Sequence, residues 1–413
     1  MNNIRHYCAV SRKMRDHGIG ERDAWTGLIG PRIDVSNGIG SFLQGEAMRV
    51  PAWFALLAGL VVGTAQAHGS NDARARPDFR PVTAYVDGFV GSSADDLLPG
   101  ASLIIIQDGS AIYRRDFGTY VGIAPQAPVA SASKWLSALV VQRLVEQGKM
   151  HWDDTVADYF GSSYPNPDAT KGGITLGQLM SHTSGIATAS DACLQFANRN
   201  MALDACAKQI LGAPLGWQPG TTFAYGENSM QVAGAMAQRA TGKAWAQLVK
   251  TELTIPLKMT KTDYGLNASG LPFKNPIIAG GARSTLRDYA NVVLMVLQGG
   301  VFDGAQYLSP EGIAEMQLDQ THGVPVDVAS DPYPEAFGYG YGEWRDAVDC
   351  DGIAVRVSST GAFGTSPWVD YGHGIAAVFL AYRQYPPSQL RDTLRQLWGV
   401  VDDAVGGPVG CSP

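Results

Sequence analysis

Ser131 and Lys134 stand three residues apart in the stretch Pro128 to Leu136, and that pairing can carry nucleophilic chemistry. A serine hydroxyl is a weak nucleophile until a neighbouring base takes its proton. A lysine can take it only where burial or nearby positive charge leaves its amine neutral. Leu136, Leu139, Val140 and Leu144 recur at helical spacing between Pro128 and Gly148, which predicts a helix with one face in the core and Ser131 near its start. Lys134 then lies about one turn further along the same face. The unpaired N–H groups and the dipole of a helix start favour negative charge beside them. S-x-x-K is common by chance, so its weight depends on the residues downstream.

The elements that must position this pair come from both ends of the chain. Ala101 to Gln107 and Ala111 to Arg115 are β-rich runs around Asp108-Gly109, a hairpin signal. Ile353 to Ser359, Thr365 to Val369 and Gly374 to Leu380 read as three successive strands, and Pro387 to Val401 as a closing amphipathic helix. Val82 to Leu97 is expected to form a first helix. Short helices are expected near Met150–Phe160 and over Ile174–His182, and residues 186–300 are mostly helical in pattern. Ser284 is expected to cap a helix over Thr285–Leu297. Strands at both ends with helices between predict an α/β fold: an antiparallel sheet made by both chain ends, flanked by helices, with a mostly helical insertion at about 150–300. Tyr333, Phe337, Tyr339, Tyr341 and Trp344 form an aromatic stretch that fits either a core stripe or the wall of a substrate cleft.

Met48-Arg49, the short apolar run Ala52–Gly63 and the small-x-small Ala65-Gln66-Ala67 form a signal-peptide pattern over residues 48–67, with cleavage expected before His68. The apolar run is too short for a secure membrane span. Residues 1–47 read as an upstream extension or a disordered segment, 68–81 as a flexible linker, and 82–413 as the folded domain. A periplasmic or secreted location follows as an expectation. Cys193, Cys206, Cys350 and Cys411 lie in the exported part, and four cysteines allow three connectivities among which the sequence does not choose. We expect Cys193–Cys206, which close a short loop, and Cys350–Cys411, which would pin the C-terminal tail. A net charge of −7 without Lys/Arg runs argues against a nucleic-acid partner. The absence of C-x-x-C and H-E-x-x-H from the sequence argues against a metal. No cofactor is expected, the partner is a small-molecule or peptide substrate, and the oligomeric state stays open.

From Ala101 to Ala381 the sequence resembles the serine β-lactamase and penicillin-binding superfamily, in its class C-like branch of β-lactamases, D-alanyl-D-alanine carboxypeptidases and related esterases. Ser131 to Lys134 matches its S-x-x-K, Ser181-His182-Thr183-Ser184-Gly185 its HTSG signature, and Phe223 to Glu227 falls where it has Tyr-x-Asn. Gly280 to Thr285, followed by Asp288, matches a GG-L-x-ST stretch, and Ser359-Thr360-Gly361 falls at its Lys-Thr-Gly or His-x-Gly position. The resemblance implies Ser131 as the acylated nucleophile, with Lys134 tuning or taking its proton. It implies that Tyr225 shares the general-base and general-acid work, which requires nearby cations to lower its phenol. It implies an oxyanion hole from the N–H groups of Ser131 and Ala362. Glu227, Ser359, Thr360, Gly361 and Trp344 would handle substrate. His182 is expected to be structural, and His373 to sit in a turn.

Two departures bear on specificity: Glu227 replaces the motif asparagine, and Ser359 replaces the motif cation. The expected activity is a serine hydrolase acting on an ester or amide through an acyl-enzyme on Ser131, with a β-lactamase or D-alanyl-D-alanine carboxypeptidase, or a catalytically silent cell-wall-binding homologue, as alternatives. Neutral substrates are expected over those with a free carboxylate. Arg356 should point to the face of its strand opposite Ser359, while Arg383, or a cation from the helical insertion, remains a candidate replacement.

Overall fold

Asp108 and Gly109 take positive φ values of 50° and 75° and reverse the chain between strands β1 (Gly100–Gln107) and β2 (Ser110–Gly118). That twist matches the one flanking strands need, as expected for Asp-Gly in a two-residue hairpin. The computed structural model describes residues 77–410. The extension at 1–47, the signal peptide at 48–67, most of the linker and Cys411 lie outside the described residues.

Four C-terminal strands complete the sheet: β3 (Trp344–Val348), β4 (Ala354–Ser358), β5 (Ser366–Asp370) and β6 (Ile375–Ala381). The order is β2-β1-β6-β5-β4-β3, and every pairing is antiparallel. The two chain ends meet where Ala101 to Gln107 pair with Ala381 to Ile375. Both strands at this seam are mostly apolar because both faces are covered, and the two polar side chains, Ser102 and Gln107, donate to Asp116 Oδ1 and His373 O. Ala101, Leu103, Ile105, Ile375, Ala377 and Phe379 join one core cluster with residues of α1 (Arg80–Asp87) and of the C-terminal helix Gln389–Val405. Ile106, Ala376, Val378 and Leu380 join the other, larger cluster with α2 (Ser133–Glu146) and the helix Leu286–Leu297. This is the expected α/β arrangement.

Four local expectations are corrected. The first helix spans only Arg80–Asp87, started by Pro81 and ended at Gly88, and 88–99 is loop rather than helix to Leu97. It begins within the span expected as linker. Thr285, not Ser284, caps Leu286–Leu297, its hydroxyl accepting from the Asp288 N–H at 3.2 Å. The insertion is less helical than its pattern: residues 186–202 are loop and 3-10 turns. That loop is tied by Cys193–Cys206, one of the two expected disulfides. Cys350 is also disulfide-bonded. Among the described residues, no helix is long and apolar enough to cross a membrane.

Candidate active site

Ser131 lies in a 3-10 turn, Ala130–Ala132, that runs into α2, so Lys134 is the second residue of the helix. Ala130, just before Ser131, has φ 46°, a left-handed conformation that costs an alanine of order 1 kcal/mol and that the packing must enforce. Several contacts do so. The Val129 N–H donates to Ala282 O at 3.0 Å, and the Ala282 N–H donates to Ser133 Oγ at 2.9 Å. Tyr289 donates to Ala132 O at 2.6 Å, and Tyr264 to Ser133 O at 3.1 Å. The Gly280–Thr285 stretch is thus a brace for the serine turn. Sequence reasoning recognised the stretch but passed over Ser133, Tyr264 and Tyr289, whose types carry no catalytic signal.

Lys134 is 1% exposed. Its Nζ donates to Ser131 Oγ at 3.1 Å and to Ala279 O at 3.2 Å, and it sits 4.5 Å from the centroid of the Tyr225 ring. Burial lowers its pKa to about 8, and the Glu227 carboxylate opposes part of that fall. The phenol of Tyr225 moves the other way: burial raises it well above its ordinary value, and Glu227 and Asp331 add to the rise. Side-chain hydrogen bonding to Ser131 and Trp344 only partly offsets this. The expectation that cations lower Tyr225 is therefore reversed, because burial outweighs every other influence on the phenol and the Glu227 and Asp331 carboxylates act in the same direction.

Ser131, Lys134 and Tyr225 come together from three parts of the sequence: the turn, the helix it starts, and the loop before α3 (Asn228–Thr241). The third motif closes the other side. Ser359 Oγ donates to Ser131 O at 3.2 Å, and Thr360 Oγ1 lies 2.8 Å from Ser366 Oγ. A Cβ on Gly361 would lie 2.0 Å from Val129 O and 3.2 Å from the Ala132 nitrogen, so only glycine lets strand end and serine turn meet. Ala362 follows directly. Neither its N–H nor that of Ser131 finds an acceptor among the described residues. Two unused donors beside one hydroxyl can hold a developing oxyanion.

Trp344, expected at the substrate, is 3% exposed and stacks within 5.1 Å of Tyr225 in an aromatic cluster with Phe223, Tyr333 and Tyr339. It reaches the site through the phenol rather than as cleft wall. Phe337 is exposed and outside that cluster. The His182 ring lies 4.8 Å from that of Tyr225, and neither of its nitrogens has a hydrogen-bond partner among the described residues. Burial, then Lys134, hold it well below its ordinary pKa, so it is a neutral packing ring. His373 lies in the turn between β5 and β6, bonded to Asp370. Arg356 points to the far face of the sheet, where it pairs with Asp370 at 2.7 Å and with Asp402. Arg383 donates to the carbonyls of Asp96 and Leu97, both at 2.9 Å. Neither arginine supplies the cation that Ser359 lacks.

The family model named Beta-lactamase matches residues 82–400, so the chain belongs to the beta-lactamase family. A solved structure from Bacteroides dorei DSM 17855, provisionally named a beta-lactamase, is 30% identical with a TM-score of 0.65, and the match covers 78% of this chain and 98% of that one. A penicillin-binding protein homologue from Caulobacter crescentus shares the fold at TM-score 0.62 and 18% identity, covering 79% of this chain and 98% of that one. An Escherichia coli K12 protein, provisionally named a D-alanyl-D-alanine carboxypeptidase, is 25% identical over 55% of this chain and 58% of its own length. Protein flp of Staphylococcus aureus MRSA252 is 25% identical over 41% of this chain. The chain spans 36% of the length of that relative.

Proposed function

We propose that this protein is an exported serine hydrolase that cleaves esters or amides through an acyl-enzyme on Ser131, with a preference for substrates lacking a free carboxylate. The observation that carries the reading is Lys134 Nζ, buried, at 3.1 Å from Ser131 Oγ, beside a protonated Tyr225 and two unused N–H donors. Neutral Lys134 takes the hydroxyl proton as Oγ attacks the carbonyl carbon. The carbonyl oxygen becomes an oxyanion between the Ser131 and Ala362 N–H groups. The leaving group departs with a proton delivered from Lys134 by way of Tyr225, and water repeats the sequence to release the acid. The test is labelling by a fluorophosphonate, with mass spectrometry of the adduct. A single adduct on the Ser131 peptide, lost in Ser131→Ala, is expected, and an adduct that persists in Ser131→Ala would refute the assignment.

The carboxylate preference rests on Ser359. A cation on this strand end would contribute about 1.5–3 kcal/mol to a carboxylate-bearing substrate, roughly a 10- to 150-fold effect on binding or rate. Ser359→Lys is therefore expected to raise kcat/KM for a penicillin by that factor relative to an aryl acetate. Efficient penicillin turnover by the wild type, unchanged in Ser359→Lys, would return the protein to the β-lactamase or carboxypeptidase reading.

Export is supported by the Cys193–Cys206 bridge, since disulfides persist in oxidising compartments, and by the pattern at 48–67. N-terminal sequencing of the exported protein should begin near His68. A mature chain that retains residues before Met48 would exclude this processing.

A further inference from the structure

Glu227 stands two residues after Tyr225, half-buried, at the start of α3. Its Oε2 accepts a hydrogen bond from Ser190 Oγ at 3.1 Å. Its Oε1 lies 3.1 Å from where a Cβ on Gly280 would be. The preceding residue, Ala279, receives the Lys134 amine on its carbonyl. Carboxylate and amine thus approach the same two-residue backbone segment, and Glu227 lies near enough to act electrostatically on both Lys134 and Tyr225.

Its charge is not matched by an ion pair among the described residues. The guanidinium of Arg199 faces it electrostatically but is held over the rings of Phe196 and Phe273, 5.5 and 5.3 Å from their centroids. Lys134 is committed to Ser131 Oγ and Ala279 O, and it must be neutral to take the serine proton. In the reacting state the half-buried carboxylate therefore has no countercharge from the catalytic group. A partly desolvated carboxylate gains strongly from a hydrogen-bonded cation. The strand end opposite carries the hydroxyls of Ser359 and Thr360 where a cation would recruit an anionic substrate.

We propose that Glu227 is a specificity-determining residue that selects acyl groups carrying a protonated amine near the scissile carbonyl, making the substrates aminoacyl esters or amides with a free ammonium. This rests on the Ser131 hydrolase reading. The ammonium would sit against Oε1, in the space that the missing Gly280 side chain leaves. It would supply the countercharge only once substrate is bound. An acyl group of the same shape with methyl in place of ammonium would leave the carboxylate unpaired.

The experiment compares aryl esters of 2-aminobutyrate and 2-methylbutyrate, which differ by ammonium against methyl, in wild type and Glu227→Gln. Both stereoisomers of each are used. The wild type is expected to favour the aminoacyl ester by roughly 10- to 150-fold in kcat/KM, and Glu227→Gln to bring the ratio close to one. A parallel measurement does not need turnover: 2-aminobutyramide should protect Ser131 from the fluorophosphonate better than 2-methylbutyramide, again only with Glu227 present. If Ser131 is labelled and the 2-methylbutyrate ester is hydrolysed with no preference for its amino counterpart, the inference falls while the hydrolase reading stands. If Glu227→Gln lowers both esters equally and moves the pH profile, Glu227 acts through Lys134 and the inference is overturned. If the fluorophosphonate does not label Ser131, the hydrolase reading fails and takes this one with it.

Discussion

Replacing Lys134 with methionine is expected to lower kcat/KM roughly 10²- to 10⁴-fold and, at neutral pH, to raise thermal stability. The first effect follows from the geometry. Nζ is the basic atom 3.1 Å from Ser131 Oγ, and His182, the other nitrogen base near the cleft, is buried against Tyr225 with no hydrogen-bond partner among the described residues. The second follows from the cost of burying an amine. A lysine held near 8, against an ordinary 10.5, binds its proton less readily in the folded state. Below pH 8 that difference opposes folding by about 3 kcal/mol. Methionine removes the cost but leaves Ala279 O without its donor, which returns about 1–2 kcal/mol. The net gain is about 1–2 kcal/mol near pH 7. Its sign is set by linkage: between 8 and 10.5 the unfolded chain binds more protons, so the wild type gains stability as pH rises. The advantage of Lys134→Met should shrink through that window and, because Ala279 O still lacks its donor, turn into a deficit of about 1–2 kcal/mol above it. Thermal melts at pH 6.5 and 10.5 check this. A variant that melts below the wild type at pH 6.5, or that keeps full activity, would show that Lys134 is neither the buried cost nor the base.

Such a trade between stability and activity is common where a site needs a group its surroundings do not favour. It also shows which parts of the molecule the amino-acid sequence makes legible. Apolar runs such as Ile375 to Leu380 are strong signals because burial on both faces leaves no polar position. Asp108-Gly109 is equally plain, since few residue pairs accept two positive φ values in succession. The first helix was overextended because Val82, Val86, Phe89 and Val90 continue an apolar pattern past Gly88. Those last two residues join the same cluster from a loop. Within the site, Ser131 and Lys134 were legible through their spacing, and Gly361 and Ala362 through the third motif. The role of Ala279 was not, since a backbone carbonyl has no residue signature. The titration of Tyr225 was misjudged for the same reason. Its direction depends first on burial and then on the Glu227 and Asp331 carboxylates, and only the folded chain brings these together.

That reversal determines what Tyr225 can do. A buried phenol raised above its ordinary value stays protonated near neutral pH, so it is not the resting base and passes a proton to the leaving group only as it takes one from Lys134. Lys134, at about 8, is the group with a lone pair near neutral pH. The pH profile of kcat/KM should therefore rise through about 8 with Lys134, and Tyr225→Phe should leave that limb in place. Phenylalanine keeps the ring packed against Trp344 and His182, with centroids at 5.1 and 4.8 Å, so folding should be little affected. The loss is chemical and should reach roughly 10²- to 10³-fold, within the range for removing a positioned acid. Its size should depend on the leaving group. An aryl ester expels a phenolate that needs little help, whereas an alkyl ester or an amide must have its leaving atom protonated. Tyr225→Phe should thus cost the alkyl substrates at least tenfold more than the aryl ester. Steady-state rates on a matched aryl and alkyl pair from pH 6 to 10 give both answers. A limb that shifts by more than one pH unit in Tyr225→Phe would make the phenol the titrating base. An equal loss on both leaving groups would mean that its hydroxyl only orients Ser131.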